Sequence, residues 1–499
     1  MDLNNLYDKT DPVSISKYSK QLIGKSFNQV LKEYFIGDDN LEGNFLMEED
    51  YLYLEARKKF NNPRTKGSLG NLIEEYFFGY KPNSSPEPDF PEAGVELKVT
   101  PYEITKTGKV RAGERLLLGM IPNNEPIASE FDKSVAYSNL ELLLLILYLR
   151  TKGRDRVDHP IMYSQLISIN SEALEKDLEI IRSDYEIIAK KIQDGRAHEL
   201  SEADTMYLGA ATKGATAKKS LQNQFYNPEV KAKRRAFSLK QGYMTSFINN
   251  YIIQNISTYD EITDKTLSKE EFEKLVLDKI DQFSGWSETQ LREKFDLIDT
   301  SSKSIFSTIA LEILGVHTEN AEEFEKSNTE VKTIRVEENG SIKESMSFPA
   351  ISFGEFVKEE WEDSTLYNYF SETRFLFVVF SKVDGEYHLN RALFWHMPVQ
   401  DLEGLGKKDW LRAQQTVKDG VKFTLRGKTI LNTLPKMSNT EIFHLRPHAS
   451  LSAYYLPSLD NYTRGDIHKN GDRLPNGDYM TKQCFWLNSK YVKKQIVGR

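Results

Sequence analysis

Glu87-Pro88-Asp89-Phe90-Pro91-Glu92-Ala93-Gly94-Val95-Glu96-Leu97-Lys98-Val99-Thr100 reads as a turn that feeds a strand. Glu96 and Lys98 are two apart, so on a strand both side chains share one face. Val95, Leu97 and Val99 take the other face and can enter a core. Pro88, Pro91 and Gly94 predict a bend that folds Asp89 back beside Glu96. Two close carboxylates repel unless a cation lies between them, and hard Mg²⁺ prefers such oxygen ligands. The chemistry that fits is Mg²⁺-dependent phosphodiester hydrolysis. The ion neutralises charge on the phosphate and acidifies a bound water, while Lys98 orients or helps deprotonate that water. The competing reading of the same spacing is a half-exposed strand with a surface Glu–Lys pair, which is worth little in stability.

Lys66-Gly67-Ser68-Leu69-Gly70-Asn71-Leu72-Ile73-Glu74-Glu75, followed by Pro88 through Pro101, resembles the catalytic core of the MutH-type endonucleases. That family includes the mismatch-repair nicking enzyme and type II restriction endonucleases that cut at GATC. The resemblance implies an α/β (mixed α+β) restriction-endonuclease-like fold, a mixed sheet flanked by helices with metal-binding acids at one end. It also implies Mg²⁺ held by Asp89 and Glu96, with Lys98 as the catalytic lysine. A further acid comes from the preceding helix. Counting forward from Gly70 gives Glu74, and counting back from Gly79 gives Glu75. The apolar face Leu69, Leu72, Ile73, Tyr76, Phe77 leaves Glu75 more nearly opposite the buried stripe, which favours Glu74.

The 499 residues are too many for one core and predict two or three domains. Apolar content of 39% with a mean hydropathy of −0.54 describes a soluble globular protein. The start of the chain lacks a signal pattern, and the longest apolar run, Leu142 to Leu149, is too short to span a bilayer. Cys484 is alone, which excludes an internal disulfide and a cysteine-rich zinc site. His444 and His448 flank Pro447, which argues against a helical ligand pair. These features predict a cytoplasmic protein.

A formal net charge of −8 counts against nucleic-acid binding at first sight. Counterion release is local, however, because fields are screened over about 10 Å. Between Gly209 and Lys240 stand Lys213, Lys218, Lys219, Lys231, Lys233, Arg234, Arg235 and Lys240 against one acid, Glu229. That excess predicts a phosphate-contacting surface, with a solvated basic face as the alternative.

The chain reads as two similar folds in tandem, 1–256 and 268–499, joined by a polar stretch 257–267. In the first, helix signals run from Ser16 to Tyr34 after the Asp11-Pro12 turn, and again from Leu69 to Phe78. Strands are predicted at Val95–Thr100, Arg115–Ile121, Leu140–Tyr148 and Met206–Leu208. A helix capped by Ser171 is predicted to run to Ile192, and a loop from Gly209 to Ala215. Ser268 and Glu271 form a capping-box pattern opening the second fold. There, Gly285-Trp286-Ser287 echoes Gly24-Lys25-Ser26, and Ser304–Gly315 echoes Leu69–Gly79. Thr329–Thr333 echoes Val95–Val99, Phe375–Phe380 echoes the apolar run after Leu140, and Asp478–Gln483 echoes Ser238–Lys240. The order matches the large GATC-cutting restriction enzymes, which the resemblance describes as an active MutH-like domain followed by a degenerate one.

Counting back seven from Glu330 gives Glu323, so the second copy reads E-x₆-E-x-K, without the prolines and glycine around Asp89. This argues against cleavage by the second copy, and the resemblance implies a DNA-binding effector role for it instead. Groove-contacting candidates are Lys213, Lys218 and Lys219 in the first copy. In the second they are Arg446 and His448, within a run resembling the family's Arg-Pro-Lys loop. Lys233, Arg234 and Arg235 are phosphate candidates. Ala211-Thr212-Lys213 stands where the first copy's triplet is expected, and the family's additional lysine has no match in register, Lys133 being the nearest. The resemblance implies a protein monomeric in solution that pairs on double-stranded GATC DNA, with a cognate DNA methyltransferase as functional partner. The alternatives are a mismatch-repair nicking enzyme and a non-catalytic DNA-binding protein that has kept the fold.

Overall fold

The computed structural model describes residues 6–37, 47–62, 67–82, 87–213, 220–253, 259–298, 304–342 and 346–497. They form two compact units. The first takes the chain up to residue 271 together with 320–328, and the second takes 272–319 and 329 onward. The division falls inside the helix Lys269–Asp281 rather than at 257–267. Part of the reason lies in Glu323, whose carboxylate accepts the amides of Ile262 and Thr263 and ties that stretch into the first unit.

In the first unit Asp11 caps a helix Pro12–Ser19, and Gly24 (φ +88°) turns the chain before α1 (Phe27–Phe35). The helix signals read from Ser16 to Tyr34 therefore fall on two helices. Ser26 and Gln29 close a reciprocal capping box at α1. The order continues α2 (Ser68–Tyr76), β1 (Glu96–Ile104), β2 (Leu116–Met120), α3 (Val135–Glu141), β3 (Leu142–Leu149) and β4 (Ile161–Ser168). It ends α4 (Glu175–Gln193), β5 (Leu208–Thr212), β6 (Arg235–Leu239) and α5 (Gln241–Phe247).

β3 is a run of eight residues, all apolar or aromatic, as expected of a strand covered on both faces. It lies parallel to β1 and antiparallel to β4, and a short strand Val110–Ala112 edges β1. Leu144 and Ile146 are fully buried with Leu72, Ile73, Val95 and Leu97 in one core, at about 1.5–3 kcal/mol per large side chain. The strand begins at Leu142 and not Leu140, because Ser134 accepts the Tyr137 amide and starts α3 first. Ser171 makes no side-chain cap, and α4 begins after a 3₁₀ turn over Glu172–Leu174.

A second sheet has the order β2–β6–β5, all antiparallel. Asp184 of α4 is buried and its carboxylate accepts the amides of Met206, Tyr207 and Leu208 at 2.8, 2.6 and 2.9 Å. That clamp fixes where β5 starts, so Gly209 to Thr212 are strand and not the expected loop. The short helix Glu322–Lys326 packs on α5 within this unit, with Lys326 Nζ 2.9 Å from Asp177. Gly242 is required there, since a Cβ would sit 1.9 Å from the Glu325 carbonyl oxygen.

The second unit repeats the order as α6 (Glu288–Lys294), α7 (Ile305–Leu314), β7 (Thr329–Val336), β8 (Met346–Ala350), α8 (Thr365–Glu372), β9 (Arg374–Val383) and β10 (Glu386–Trp395). It closes with α9 (Lys407–Lys418), β11 (Phe443–Pro447), β12 (Gln483–Leu487) and α10 (Ser489–Val497). The likeness reaches register. β9 lies parallel to β7 and antiparallel to β10, with an irregularity at Val379/Phe380 where β3 has one at Leu147/Tyr148. Ser287 and Gln290 repeat the capping box, and Ser364 caps α8 through Tyr367. Asp409 repeats Asp184 by accepting the amides of Glu441, Ile442 and Phe443. One expected echo is displaced. The counterpart of Ser238–Lys240 is Trp486–Asn488 at the end of β12, and Asp478–Gln483 covers a strand of an inserted four-stranded sheet.

Candidate active site

The bend ahead of β1 is closed by a bridge in which Phe90 and Val95 exchange backbone bonds of 2.9 and 3.2 Å. Gly94 (φ +64°) makes the tight return that an L side chain would strain. Asp89 is thereby folded back on β1. Its Oδ2 accepts the Leu97 amide at 3.0 Å, and its own amide donates to Glu96 Oε2 at 3.3 Å. Lys98 lies on the same face as Glu96 and pairs with its Oε1. Lys98 Nζ is also 3.4 Å from Asn139 Oδ1 on α3. Asp89, Glu96 and Asn139 line a cleft of about 550 Å³ whose other walls include Met120, Pro126 and Lys133.

Glu74 sits on α2 with the buried stripe, whereas Glu75 is only half-buried. Burial first, then the charges of Asp89, Glu96 and Glu75, push the Glu74 carboxyl up to about 7, against a lowering by Lys98. Burial likewise raises Asp89 and Glu96, with Lys98 opposing in both. An excess of buried negative charge on oxygen donors is what a hard divalent cation relieves, so the donor set fits one. No three His, Cys, Asp or Glu side chains among the described residues are gathered into a ligand cluster. Asn139 is the site residue that the sequence reading missed. Nothing in its spacing marks it, because it reaches Lys98 from another element.

Two stretches of the sequence, 78–184 and 314–408, match the family model described as "DNA mismatch repair enzyme MutH". The chain is 37% identical over 471 residues to "Type II restriction enzyme Sau3AI" of Staphylococcus aureus, covering 87% of this chain and 93% of that protein. The chain belongs to the MutH family. It is a nuclease of the group that joins MutH to restriction enzymes. "DNA mismatch repair protein MutH" of Shewanella woodyi is 29% identical over 197 residues, 38% of this chain and 78% of that protein. The protein of that name from Pectobacterium atrosepticum is 26% identical over 200 residues, 39% and 80% respectively.

The second MutH-like copy keeps the pair and loses its surroundings. Lys332 Nζ lies 2.8 Å from Glu330, and Glu330 and Lys332 face Phe375 and Phe377 as Glu96 and Lys98 face Leu143 and Leu145. Glu323, seven before Glu330, is engaged with the Ile262 and Thr263 amides of the first unit. Five residues before Gly79, a left-handed glycine just past α2, stands Glu74, and five before Gly315, the left-handed C-cap of α7, stands Ala310. Five residues after the capping serines Ser134 and Ser364 stand Asn139 and Tyr369. The Tyr369 hydroxyl donates to Glu330 Oε2 at 2.7 Å.

The basic candidates divide by burial. Lys218 and Lys219 lie outside the described residues. Lys213 and Lys233 are half-buried and Arg234 is exposed. Arg235 fails the expectation. It is buried, with Nη1 on the Ala210 carbonyl at 2.6 Å and Nη2 on that of Leu200. Lys240 is buried too, its Nζ 2.5 Å from the Thr205 carbonyl. In the second copy Arg446 and His448 are exposed, and the Arg446 guanidinium lies 4.8 Å over the Trp486 ring. The two triplets occupy one sheet position. Ala211 and Thr212 face Ala236 and Arg235, Arg446 and Pro447 face Cys484 and Gln483, and Lys213 and His448 follow. Lys133 lies at the cleft, highly exposed and paired with Glu130 at 2.7 Å. Among the described residues no helix is long and apolar enough to cross a membrane.

Proposed function

We propose that the chain is a type II restriction endonuclease of restriction-endonuclease-like fold, hydrolysing DNA at 5′-GATC-3′ duplex sites with Mg²⁺ to give double-strand breaks. The observation that supports this most is the meeting of Asp89 and Glu96 at one cleft, with Lys98 paired to Glu96 and Glu74 electrostatically coupled to them, in a chain aligned along 93% of a type II restriction enzyme. Asp89 and Glu96 hold the cation, and Glu74 gives up its proton to complete the carboxylate set. When bound, the cation neutralises charge on the scissile phosphate and makes a water more acidic. Lys98 donates into the cleft and orients that water.

In this reading residues 1–256 carry the cutting MutH-like domain and 268–499 a degenerate one. The degenerate domain binds a further DNA site through Arg446 and His448 without cutting. The protein is a monomer that pairs on DNA in the cytoplasm, and a cognate methyltransferase protects the host's own sites. Incubating the purified full chain with plasmid and Mg²⁺, then sequencing the ends, tests the proposal. Linear product ending at GATC is expected. Scattered ends reject the specificity, and nicked circles alone convert the enzyme to a nickase. No cleavage with any divalent ion leaves a DNA-binding protein that has kept the fold.

A further inference from the structure

We propose that Asn139 is a positioning residue that holds Lys98 at the cleft, and that its replacement by Tyr369 removes this device from the second copy. The inference rests on the nuclease reading above. Lys98 ends a flexible four-carbon stem carrying a point charge with three donors, so its aim must come from its partners. One partner is Glu96, an acid that also serves the cation in that reading. The other is Asn139, buried on α3 and facing the same cleft.

The Asn139 amide has a fixed direction. Its Nδ2 donates to the Val135 carbonyl at 2.9 Å, which leaves Oδ1 turned toward Lys98. Ser134 anchors the helix start by accepting the Tyr137 amide at 3.1 Å. Gly119 lets β2 press on the same turn, since a Cβ there would meet Val135 Cγ2 at 2.7 Å. Asn139 is thus braced on rigid elements and supplies an acceptor that competes with nothing else. In the second copy the side chain at this position bonds the acid instead of the lysine, with Tyr369 on Glu330. The hydrogen bond donated by the phenol takes up a carboxylate oxygen that a cation would need as a ligand, so the same helix position opposes the chemistry that Asn139 supports.

The test compares Asn139→Leu, which removes the acceptor, with Asn139→Asp, which keeps one. Cleavage is followed under single-turnover conditions, DNA affinity in EDTA, and acylation of Lys98 in the metal-free protein by mass spectrometry. For Asn139→Leu a fall in the cleavage rate of about tenfold to a hundredfold is expected, with DNA affinity unchanged and Lys98 acylated several-fold faster. Asn139→Asp recovers most of the rate and the slow acylation. A folded Asn139→Leu with wild-type cleavage, or with lost cleavage but unchanged acylation, overturns the proposal. So does an Asn139→Asp variant that is folded and as impaired as Asn139→Leu. The nuclease reading fails separately, by a Lys98→Met variant that cuts like the wild type.

Discussion

Glu96 and Lys98 in the first copy, and Glu330 and Lys332 in the second, stand at the same register against their central strands, and both pairs are formed. Their surroundings have diverged. The first pair has Asp89 folded back by a glycine bend, Glu74 on the helix beneath and Asn139 beside the lysine. The second has Ala310, Tyr369 and a Glu323 drawn onto other amides. In the proposed reading, a short strand motif is present in the second copy without the residues that make it catalytic in the first. The chemistry depends on groups brought in from separate elements, and each was free to drift on its own.

The largest difference between the copies is expected in cleavage. Asp89→Ala, Glu96→Ala and Lys98→Ala each remove a ligand or the water-orienting charge, at a cost of about 10²–10³-fold or more in rate. Glu330→Ala and Lys332→Ala should stay within about twofold, since a half-exposed pair of this kind contributes little. Rates of plasmid linearisation check both. A folded Glu330→Ala enzyme that no longer cuts would make the second copy catalytic and erase the contrast.

Glu74 against Ala310 comes next. Glu74→Gln should lower cleavage by about tenfold to a hundredfold through the loss of one acid from the site. It also carries a pH signature. The Glu74 carboxyl is raised in the folded state from 4.5 to about 7, so its proton is held more tightly there than in the unfolded chain. The stability this contributes is full below about pH 4.5 and is lost as pH rises through about 7. In EDTA the melting temperature of the wild type should fall by several degrees across that window relative to Glu74→Gln, and Mg²⁺ should recover it. A pH-independent difference would show that burial and the neighbouring charges do not raise the Glu74 carboxyl in the folded protein.

What the sequence could show follows the same division. The E-x-K pair, the bend and the burial of Glu74 rather than Glu75 were legible because each is set within a few residues by periodicity or turn chemistry. The duplication was legible through capping signals such as Ser26/Gln29 and Ser287/Gln290, which are local too. Asn139, the Asp184 clamp that moves β5, and the inward turn of Arg235 were not. Each is decided by a contact more than twenty residues away in the chain. Arg235 shows this most plainly, since burial turns a cation from the expected basic patch into a brace for two carbonyls.

Asp184 and Asp409 measure what the copies still share. Both bind three successive amides, but Asp184 also feels the charge of Lys240, whose counterpart in the second copy is the neutral Asn488. Asp184→Ala should cost about 3–5 kcal/mol because it removes the negative charge that offsets buried Lys240 as well as the acceptor of the amides. Asp409→Ala should cost about 1–3 kcal/mol. Chemical denaturation of the two variants compares them, and equal losses would deny Lys240 its share.

The smallest effect is expected at the sheet position that Ala211 occupies in the first copy and Arg446 in the second. The Arg446 guanidinium lies 4.8 Å from the Trp486 ring centre, a contact that limits its freedom, while the residue stays exposed to a base or a phosphate. One catalytic centre cuts one strand, so a palindromic site needs two polypeptides, and twofold symmetry favours a pair. If the second copy binds another site and stabilises the pairing form, the two binding events are linked. Cleavage of a two-site plasmid should then exceed that of a one-site plasmid. Arg446→Ala should reduce this ratio by about fivefold, the low end of the roughly 1–3 kcal/mol for one base contact. The one-site rate should barely move, because Arg446 is far in sequence from the Asp89 centre and absent from its cleft. Equal rates on the two plasmids would leave the second copy without an effector role. A stable dimer in DNA-free sedimentation would place the pairing before DNA binding.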